Sequence, residues 1–216
     1  MGTYVNPGNS AFAEIADSDY IDKTMLIDLI NQTVKKKNKL TCISRPRRFG
    51  KSYAAKMLTA YYDCSCKSDH LFVGRKIAET ENYSKYLNQY NVLYLDITTF
   101  TSALQTRNHS LRDVAVNIQD ALLLDLKDNG FPIQTDDTLN NNLLRCVNQK
   151  NGRKFIFIID EWDAVIREAK DDPEAQKRYL NLLRGWFKNS SFTPKVVAAA
   201  YMTGILPIKK DGSVTL

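Results

Sequence analysis

The stretch Leu40-Thr41-Cys42-Ile43-Ser44-Arg45-Pro46-Arg47-Arg48-Phe49-Gly50-Lys51-Ser52 decides how we interpret the rest of the chain. It predicts a short buried strand over residues 40–44, then a tight basic loop, then a helix that opens at Ser52. The first turn of such a helix has backbone N–H groups without helical partners, and the helix dipole adds positive charge there. The stretch therefore predicts a phosphate-binding loop. Its candidate ligand-binding residues are Arg47, Arg48, Phe49, Gly50, Lys51, Ser52 and Tyr53.

Three residues of this loop have distinct expected roles. Gly50 lets the main chain approach a phosphate oxygen, Lys51 reaches the β and γ phosphates, and the Ser52 hydroxyl holds Mg²⁺. The full signature has a glycine at the position of Arg45, and Pro46 has no N–H to donate. On these residues alone, an exposed strand-to-helix turn with solvated cations is an equal alternative.

A second segment, Lys154-Phe155-Ile156-Phe157-Ile158-Ile159-Asp160-Glu161, favours the phosphate-binding interpretation. Its five consecutive apolar residues predict a parallel strand covered on both faces. The two carboxylates follow at its carboxyl end, where open α/β sheets bind ligands. Asp160 is the candidate Mg²⁺ ligand, and Glu161 is the candidate base that deprotonates an attacking water. The alternative is that the acidic pair only caps the following helix.

The order of predicted elements places these segments in one sheet. A strand at residues 91–96 lies between them in the sequence, and another at 196–202 follows them. Helical patterns separate the strands, which predicts βαβ units and a parallel sheet. Asp96 either faces the site or caps a turn, and we expect the cap. Thr203, at the tip of the last strand, either senses a γ phosphate or is a routine strand-end hydroxyl.

Length and composition predict one α/β domain. The chain has 216 residues, 44% of them apolar, a formal charge of +6 and a pI near 9.0. We expect a loosely ordered lead over residues 1–18 and a domain over 19–216. No secretory signal is indicated, and the apolar run at 196–208 is too short to span a bilayer. With four cysteines and no metal-type spacing, we expect a soluble cytoplasmic protein without a membrane partner.

Four motifs together resemble the bacterial AAA-ATPase-like family. They are Tyr20-Ile21-Asp22-Lys23-Thr24, Arg45-Pro46-Arg47-Arg48-Phe49-Gly50-Lys51-Ser52, Ile159-Asp160-Glu161-Trp162-Asp163 and Thr203-Gly204-Ile205-Leu206-Pro207-Ile208-Lys209. That family also begins its phosphate loop without the leading glycine. The resemblance implies a P-loop NTPase-type three-layer α/β/α fold with a mainly parallel sheet. It also implies an additional strand between the Walker A and Walker B strands.

The resemblance also implies a site and its ligands. ATP and Mg²⁺ are the implied cofactors, with Lys51 and Ser52 on phosphate and metal, and Asp160 and Glu161 as the Walker B pair. The segment before the phosphate loop would pack near the adenine, which makes Tyr20 and Ile21 weaker candidates. Members commonly continue into a C-terminal restriction-endonuclease-like domain. We expect that this domain is missing from the chain, which ends at Leu216, and that the ATPase core itself is cut short.

Three functions fit the sequence. The first is an Mg²⁺-dependent ATPase that acts as the motor or switch of a larger protein, with self-association or a missing C-terminal effector domain as expected partners. The second is a nucleotide-gated assembly module with little turnover. The third is a nucleic-acid-binding protein that uses Lys35–Lys39 and Arg45–Arg48. A GTPase is disfavoured because no Asn-Lys-x-Asp follows the acidic strand. An arginine from a neighbouring molecule is expected to complete the nucleotide site, and the sequence does not rank the candidates Arg167, Arg178 and Arg184.

Overall fold

The protein contains one parallel β-sheet in the part described by a computed structural model, residues 1–18 and 20–206. The strand order is β1-β4-β3-β2, and each neighbouring pair is parallel. The strand that lies between β1 and β3 in the sequence, β2, is therefore at the sheet edge, and β4 separates β1 from β3 in space. The strands are β1 (Leu40–Ser44), β2 (Asn91–Asp96), β3 (Phe155–Asp160) and β4 (Val197–Gly204).

Helices connect the strands, and side-chain caps define where several of them begin. Asp96, Thr138 and Asp172 each accept a hydrogen bond from a backbone N–H in the first turn of the helix that follows. The cap predicted for Asp96 is thus confirmed. The α-helices of the described residues are α1 (Ser10–Ala16), α2 (Met25–Asn31), α3 (Lys51–Tyr62), α4 (Asp69–Phe72), α5 (Tyr83–Tyr86), α6 (Ile97–Thr106), α7 (Val114–Asp128), α8 (Leu139–Val147), α9 (Ala164–Glu168), α10 (Pro173–Phe187) and α11 (Thr193–Val196). Short 3₁₀ helices span Lys76–Glu79 and Leu111–Asp113.

The sheet separates two hydrophobic clusters, one on each face. Alternate residues of β3 point to opposite sides, so that Phe155, Phe157 and Ile159 join one cluster and Ile156 and Ile158 join the other. Helices α6–α10 contribute side chains to the first cluster, and α1–α4 contribute to the second. Every residue of β3 is buried, as its apolar sequence predicted. The predicted α/β fold is confirmed.

Two expectations from the sequence are corrected. Residues 1–18 are not a loosely ordered lead, because they contain α1 and the fully buried Val5 and Phe12. Asp125 fixes this segment by accepting hydrogen bonds from the backbone N–H groups of residues 3–5 at 2.7–3.0 Å. Strand β1 has the predicted bounds but is only partly buried, because it lies at the sheet edge among the described residues.

The strand register brings the carboxyl ends of all four strands to one edge of the sheet. Asp96 pairs with Asp160, and Ser44 pairs with Gly204. We call this side the C-terminal edge and the opposite side, where all four strands begin, the N-terminal edge. No helix among residues 1–18 and 20–206 is long and apolar enough to cross a membrane.

Candidate functional site

A cleft of about 570 Å³ opens at the C-terminal edge of the sheet. Its walls come from three separate segments: the loop after β1 with the first turn of α3, the start of α6, and the turn after β3. A volume in this range suits a small-molecule ligand. The residues that line it are Arg47, Arg48, Gly50, Lys51, Ser52, Tyr53, Thr98 and Glu161.

The loop after β1 wraps around the Lys51 side chain. The Lys51 Nζ donates to the backbone carbonyls of Arg45 and Pro46, both at 3.1 Å. Gly50 is the N-cap of α3 and has a φ of +75°, in the left-handed region that glycine adopts readily. The 12-residue helix α3 therefore directs its first backbone N–H groups toward the cleft. This arrangement can bind an anion.

The carboxylate of Glu161 lies between two cations. The Lys51 Nζ is 3.3 Å from Glu161 Oε1, and Arg167 Nη2 is 2.7 Å from Glu161 Oε2. All three side chains are at least four-fifths buried, so solvent screens these contacts less than it screens surface pairs. Arg47 and Arg48 line the same cleft and add the positive charge that favours an anionic ligand. Glu161 has a φ of +50°, which is uncommon for a residue with a side chain and typical of functional sites.

Asp160 lies directly behind the cleft and is 1% exposed. Its Oδ1 accepts a hydrogen bond from the Thr203 hydroxyl and another, at 3.2 Å, from the Glu161 N–H. Thr203 is fully buried, so its hydroxyl holds Asp160. Burial raises the pKa of Tyr94 and Tyr201 well above the ordinary tyrosine value, and the charge of Asp160 adds to the effect.

Asp163 joins the turn after β3 to the chain that leaves β4. Its Oδ2 accepts hydrogen bonds from the N–H groups of residues 205 and 206, at 2.9 and 2.7 Å. Its Oδ1 is 3.4 Å from Arg167 Nε. The side chains of Trp162 and Asp163 pack against Gly204, where an added Cβ would lie 2.7 Å from Trp162 Nε1. Burial, followed by the charge of Asp163, raises the pKa of Cys42 to about 11, so this residue stays a thiol at neutral pH.

A second, smaller pocket of about 320 Å³ adjoins the cleft and shares Arg48, Gly50 and Tyr53 with it. Tyr20 and Ile21 line this pocket together with Phe49. Lys23 fixes the loop at this point, because its Nζ donates to the Phe49 carbonyl at 3.3 Å. The weaker candidates from the sequence therefore lie beside the phosphate loop.

The structure brings most of the predicted site residues together. Of the residues named for the loop and the acidic strand, Phe49 lies in the adjoining pocket and Asp160 lies behind the cleft, while the others line it. Thr98 lines the cleft but was not predicted from the sequence. Arg167 contacts Glu161 and was named only as one of three unranked arginines. Thr98 lies two residues after Asp96, at the carboxyl end of β2, and this position at the strand end could have indicated that it lies at the site. Arg167 follows Asp163 by four residues, the spacing of a helical ion pair.

The side chains around the cleft fit Mg²⁺ better than a transition metal. Ser52 and Asp160 offer hydroxyl and carboxylate oxygens, which are hard ligands. No group of three or more His, Cys, Asp or Glu side chains in the described part of the chain could hold a metal ion by itself. Mg²⁺ is usually bound by one or two carboxylates together with phosphates, so a small protein contribution suits it.

An all-parallel sheet with helices on both faces and a cleft at its C-terminal edge is the arrangement of α/β proteins that bind ligands at that edge. Residues 7–214 match the family described as predicted AAA-ATPases, AAA-ATPase-like, and the chain belongs to this family. Membership supports a general ATPase-like function. Searches among curated proteins and among solved structures found no match.

Proposed function

We propose that this chain binds ATP in the cleft at the C-terminal edge and hydrolyses it in an Mg²⁺-dependent reaction, as the motor or switch of a larger protein. The observation that carries the proposal is the contact between Lys51 Nζ and Glu161 Oε1 at 3.3 Å, at the N-terminus of α3. It joins an anion-binding loop to a candidate base within one cleft. The ATPase-like family membership supports the same conclusion.

Each residue of the cleft has a role in this proposal. Lys51 and the N–H groups of the loop bind the β and γ phosphates, and Arg47 and Arg48 add positive charge at the mouth. Ser52 and Asp160 would hold Mg²⁺, which when bound supplies charge neutralisation to the phosphates. The buried hydrogen bond from Thr203 orients Asp160 for that task.

Glu161 is the base in the chemical step. It accepts a proton from water as the water oxygen attacks the γ phosphorus in line, and the bond to the bridging oxygen breaks to give ADP and phosphate. Lys51 stabilises the charge that develops on the phosphoryl oxygens. Arg167 is a positioning residue, because it holds Glu161 Oε2 at 2.7 Å and does not line the cleft.

Substitution of Glu161→Gln tests the chemical step. We expect ATP hydrolysis to fall by about 10²–10⁴-fold while ATP affinity changes little, because glutamine keeps the shape but cannot take the proton. Glu168→Gln, at an exposed carboxylate at the end of α9, is the matched control and should leave turnover unchanged. Wild-type turnover in Glu161→Gln would show that Glu161 is not the base.

A second candidate function is a nucleotide-gated assembly module with little turnover. Large apolar side chains are exposed at the pocket next to the cleft: Ile21 is 77% exposed, Phe49 59% and Tyr53 53%. Such side chains around a ligand site suit contact with a nucleobase or with another protein. If this function is correct, light scattering or sedimentation should show that assembly follows ATP occupancy equally in the wild type and in Glu161→Gln.

A further inference from the structure

The N-terminal edge of the sheet concentrates positive charge far from the cleft. Three loops lead into β1, β3 and β4 at this edge: residues 32–39, 148–154 and 188–195. They contain four, three and two lysines or arginines respectively, and no aspartate or glutamate. The chain has 30 cationic and 24 acidic residues in all, so the remainder of the chain is net negative. The positive balance of the protein therefore comes from these three loops, which we call the basic edge.

Hydrogen bonds hold the three loops of the basic edge together. The Lys35 N–H donates to the carbonyl of residue 198 at 2.8 Å. Lys39 Nζ donates to the carbonyls of Thr193 and Val197 at 3.0 and 2.8 Å, and Lys154 Nζ donates to the carbonyl of Pro194 at 2.7 Å. The loops thus form one continuous surface that stands on the ends of rigid strands.

The cations of the basic edge face one another. Burial lowers the pKa of Lys39, and the charge of Lys154 lowers it further. Burial and then the charge of Lys35 lower the pKa of Lys154 in the same way. Lys36, Lys37, Lys150, Arg153, Lys188 and Lys195 are exposed around this centre. A polyanion laid across the surface would relieve this mutual repulsion.

We propose that the basic edge binds the sugar–phosphate backbone of a nucleic acid, without regard to sequence. Lysine, arginine, serine and asparagine side chains are the groups that contact backbone phosphates, and the loops supply Asn38, Asn151, Asn189 and Ser190 beside the cations. Lys35 lies over the ring of Tyr90 at 5.5 Å, which adds an aromatic neighbour.

A nucleic acid fits this surface better than a lipid membrane does. None of the large apolar side chains that are exposed in the described residues belongs to the three loops, and only Leu40 directly adjoins one of them, so the loops offer little that could insert into a bilayer. The basic edge includes Lys35–Lys39 but not Arg45–Arg48, so these two basic runs do not form one surface. Arg45–Arg48 lies at the opposite end of that five-residue strand, about 16 Å away at the usual rise per residue. The proposal does not depend on nucleotide binding in the cleft.

Fluorescence anisotropy of a labelled DNA duplex of about 20 base pairs tests the proposal, with the full 216-residue chain and no nucleotide present. Titrations between about 50 and about 200 mM salt give the slope of log affinity against log salt. The variant Lys36→Ala/Lys37→Ala/Lys150→Ala/Lys195→Ala removes four exposed cations of the basic edge. Because each phosphate contact contributes about 0.9 to the slope, we expect its magnitude to fall by about 3 to 4.

A matched variant, Lys67→Ala/Lys127→Ala/Lys170→Ala/Lys177→Ala, removes the same charge from exposed positions outside the basic edge. It should keep the wild-type slope. The smaller variant Lys36→Ala/Lys37→Ala should lower the slope by about 2 and guards against misfolding of the larger one. Single-stranded RNA of the same length distinguishes the kind of nucleic acid, and binding of either supports the proposal. Equal losses in the two four-lysine variants, no binding by the wild type, or binding of vesicles rich in anionic lipid but not of nucleic acid would overturn it.

Discussion

The two edges of the sheet use the same side chains in different ways. At the C-terminal edge, Lys51 and Arg167 both contact the carboxylate of Glu161. At the N-terminal edge, Lys39 and Lys154 donate to backbone carbonyls, and the loops around them contain no acidic residue. A cation held by a carboxylate is locally neutralised, whereas a cation held by carbonyl dipoles keeps its full charge.

This difference determines the distance over which the charges at each edge act. Neutralised pairs act over a few ångströms and can exchange partners when a phosphate enters, which suits binding and chemistry in a cleft. Charges without counter-charges produce a field over about a Debye length, roughly 8 Å at physiological salt, which suits attraction of an extended polyanion. We infer that the sheet separates a short-range chemical site from a long-range electrostatic surface.

Among the substitutions that compare the cations of the two edges, Lys51→Ala is expected to have the largest effect, on ATP hydrolysis. Removal of the charge that stabilises the transferring phosphoryl group should lower kcat/KM by about 10²–10³-fold and weaken ATP binding. The measurement is steady-state phosphate release together with equilibrium binding of ATP. Lys177→Ala, an exposed lysine on α10, is the control and should behave as the wild type. Equal nucleotide affinity in Lys51→Ala and the wild type would remove the basis of the site assignment.

Arg167→Ala should have the next largest effect. Loss of a charged hydrogen bond to Glu161 is worth about 1.5–3 kcal/mol, which corresponds to about a 10–150-fold decrease in kcat. KM should change much less, because Arg167 does not line the cleft. Arg167→Lys should restore part of kcat. A parallel loss of kcat and of thermal stability, without rescue by lysine, would indicate a purely structural role.

A smaller effect, on stability, is expected for Gly204→Ala at the C-terminal edge. The added Cβ would lie 2.7 Å from Trp162 Nε1 and 2.9 Å from Asp163 Oδ1, so the fold should lose about 1–3 kcal/mol of unfolding free energy. Gly185→Ala is the matched control within α10, where the nearest atom is 3.8 Å away. It should be neutral or stabilising by up to about 1 kcal/mol, because alanine favours helix. Urea denaturation distinguishes the two, and equal shifts would contradict the packing at Gly204.

Apolar periodicity and charge placement predicted much of the fold. The continuous apolar run over residues 155–159 predicted a fully buried strand, because a parallel strand covered on both faces needs no polar residue. The strands at Leu40–Ser44 and Asn91–Asp96 have the predicted bounds. The meeting of Lys51 and Glu161 followed from the rule that parallel strands direct their carboxyl ends to one edge.

The missed features depend on contacts between distant segments. The order of residues 1–18 comes from Val5, which bridges to Leu93, and from Asp125, both far away in the sequence. Helix α6 is rich in threonine, which has a modest helix propensity, and its cap comes from Asp96 at the end of a strand. The basic edge was not predicted from the sequence either. Its three loops are more than 30 residues apart, and they become neighbours only because the strands that follow them begin at the same edge of the parallel sheet.

The smallest expected effect completes the comparison between the edges. Lys36→Ala/Lys37→Ala at the basic edge should leave the free energy of unfolding within about 0.5 kcal/mol of the wild type or raise it slightly, because exposed cations among like charges contribute little to stability. Urea denaturation at low and at high salt measures the change, and screening should reduce any gain. Lys67→Ala/Lys127→Ala provides the control for charge removed elsewhere. If Lys36→Ala/Lys37→Ala alone lost well over 1 kcal/mol of unfolding free energy, these lysines would support the fold. That result would contradict the view that the cations of the basic edge, unlike those paired with Glu161, have no counter-charge.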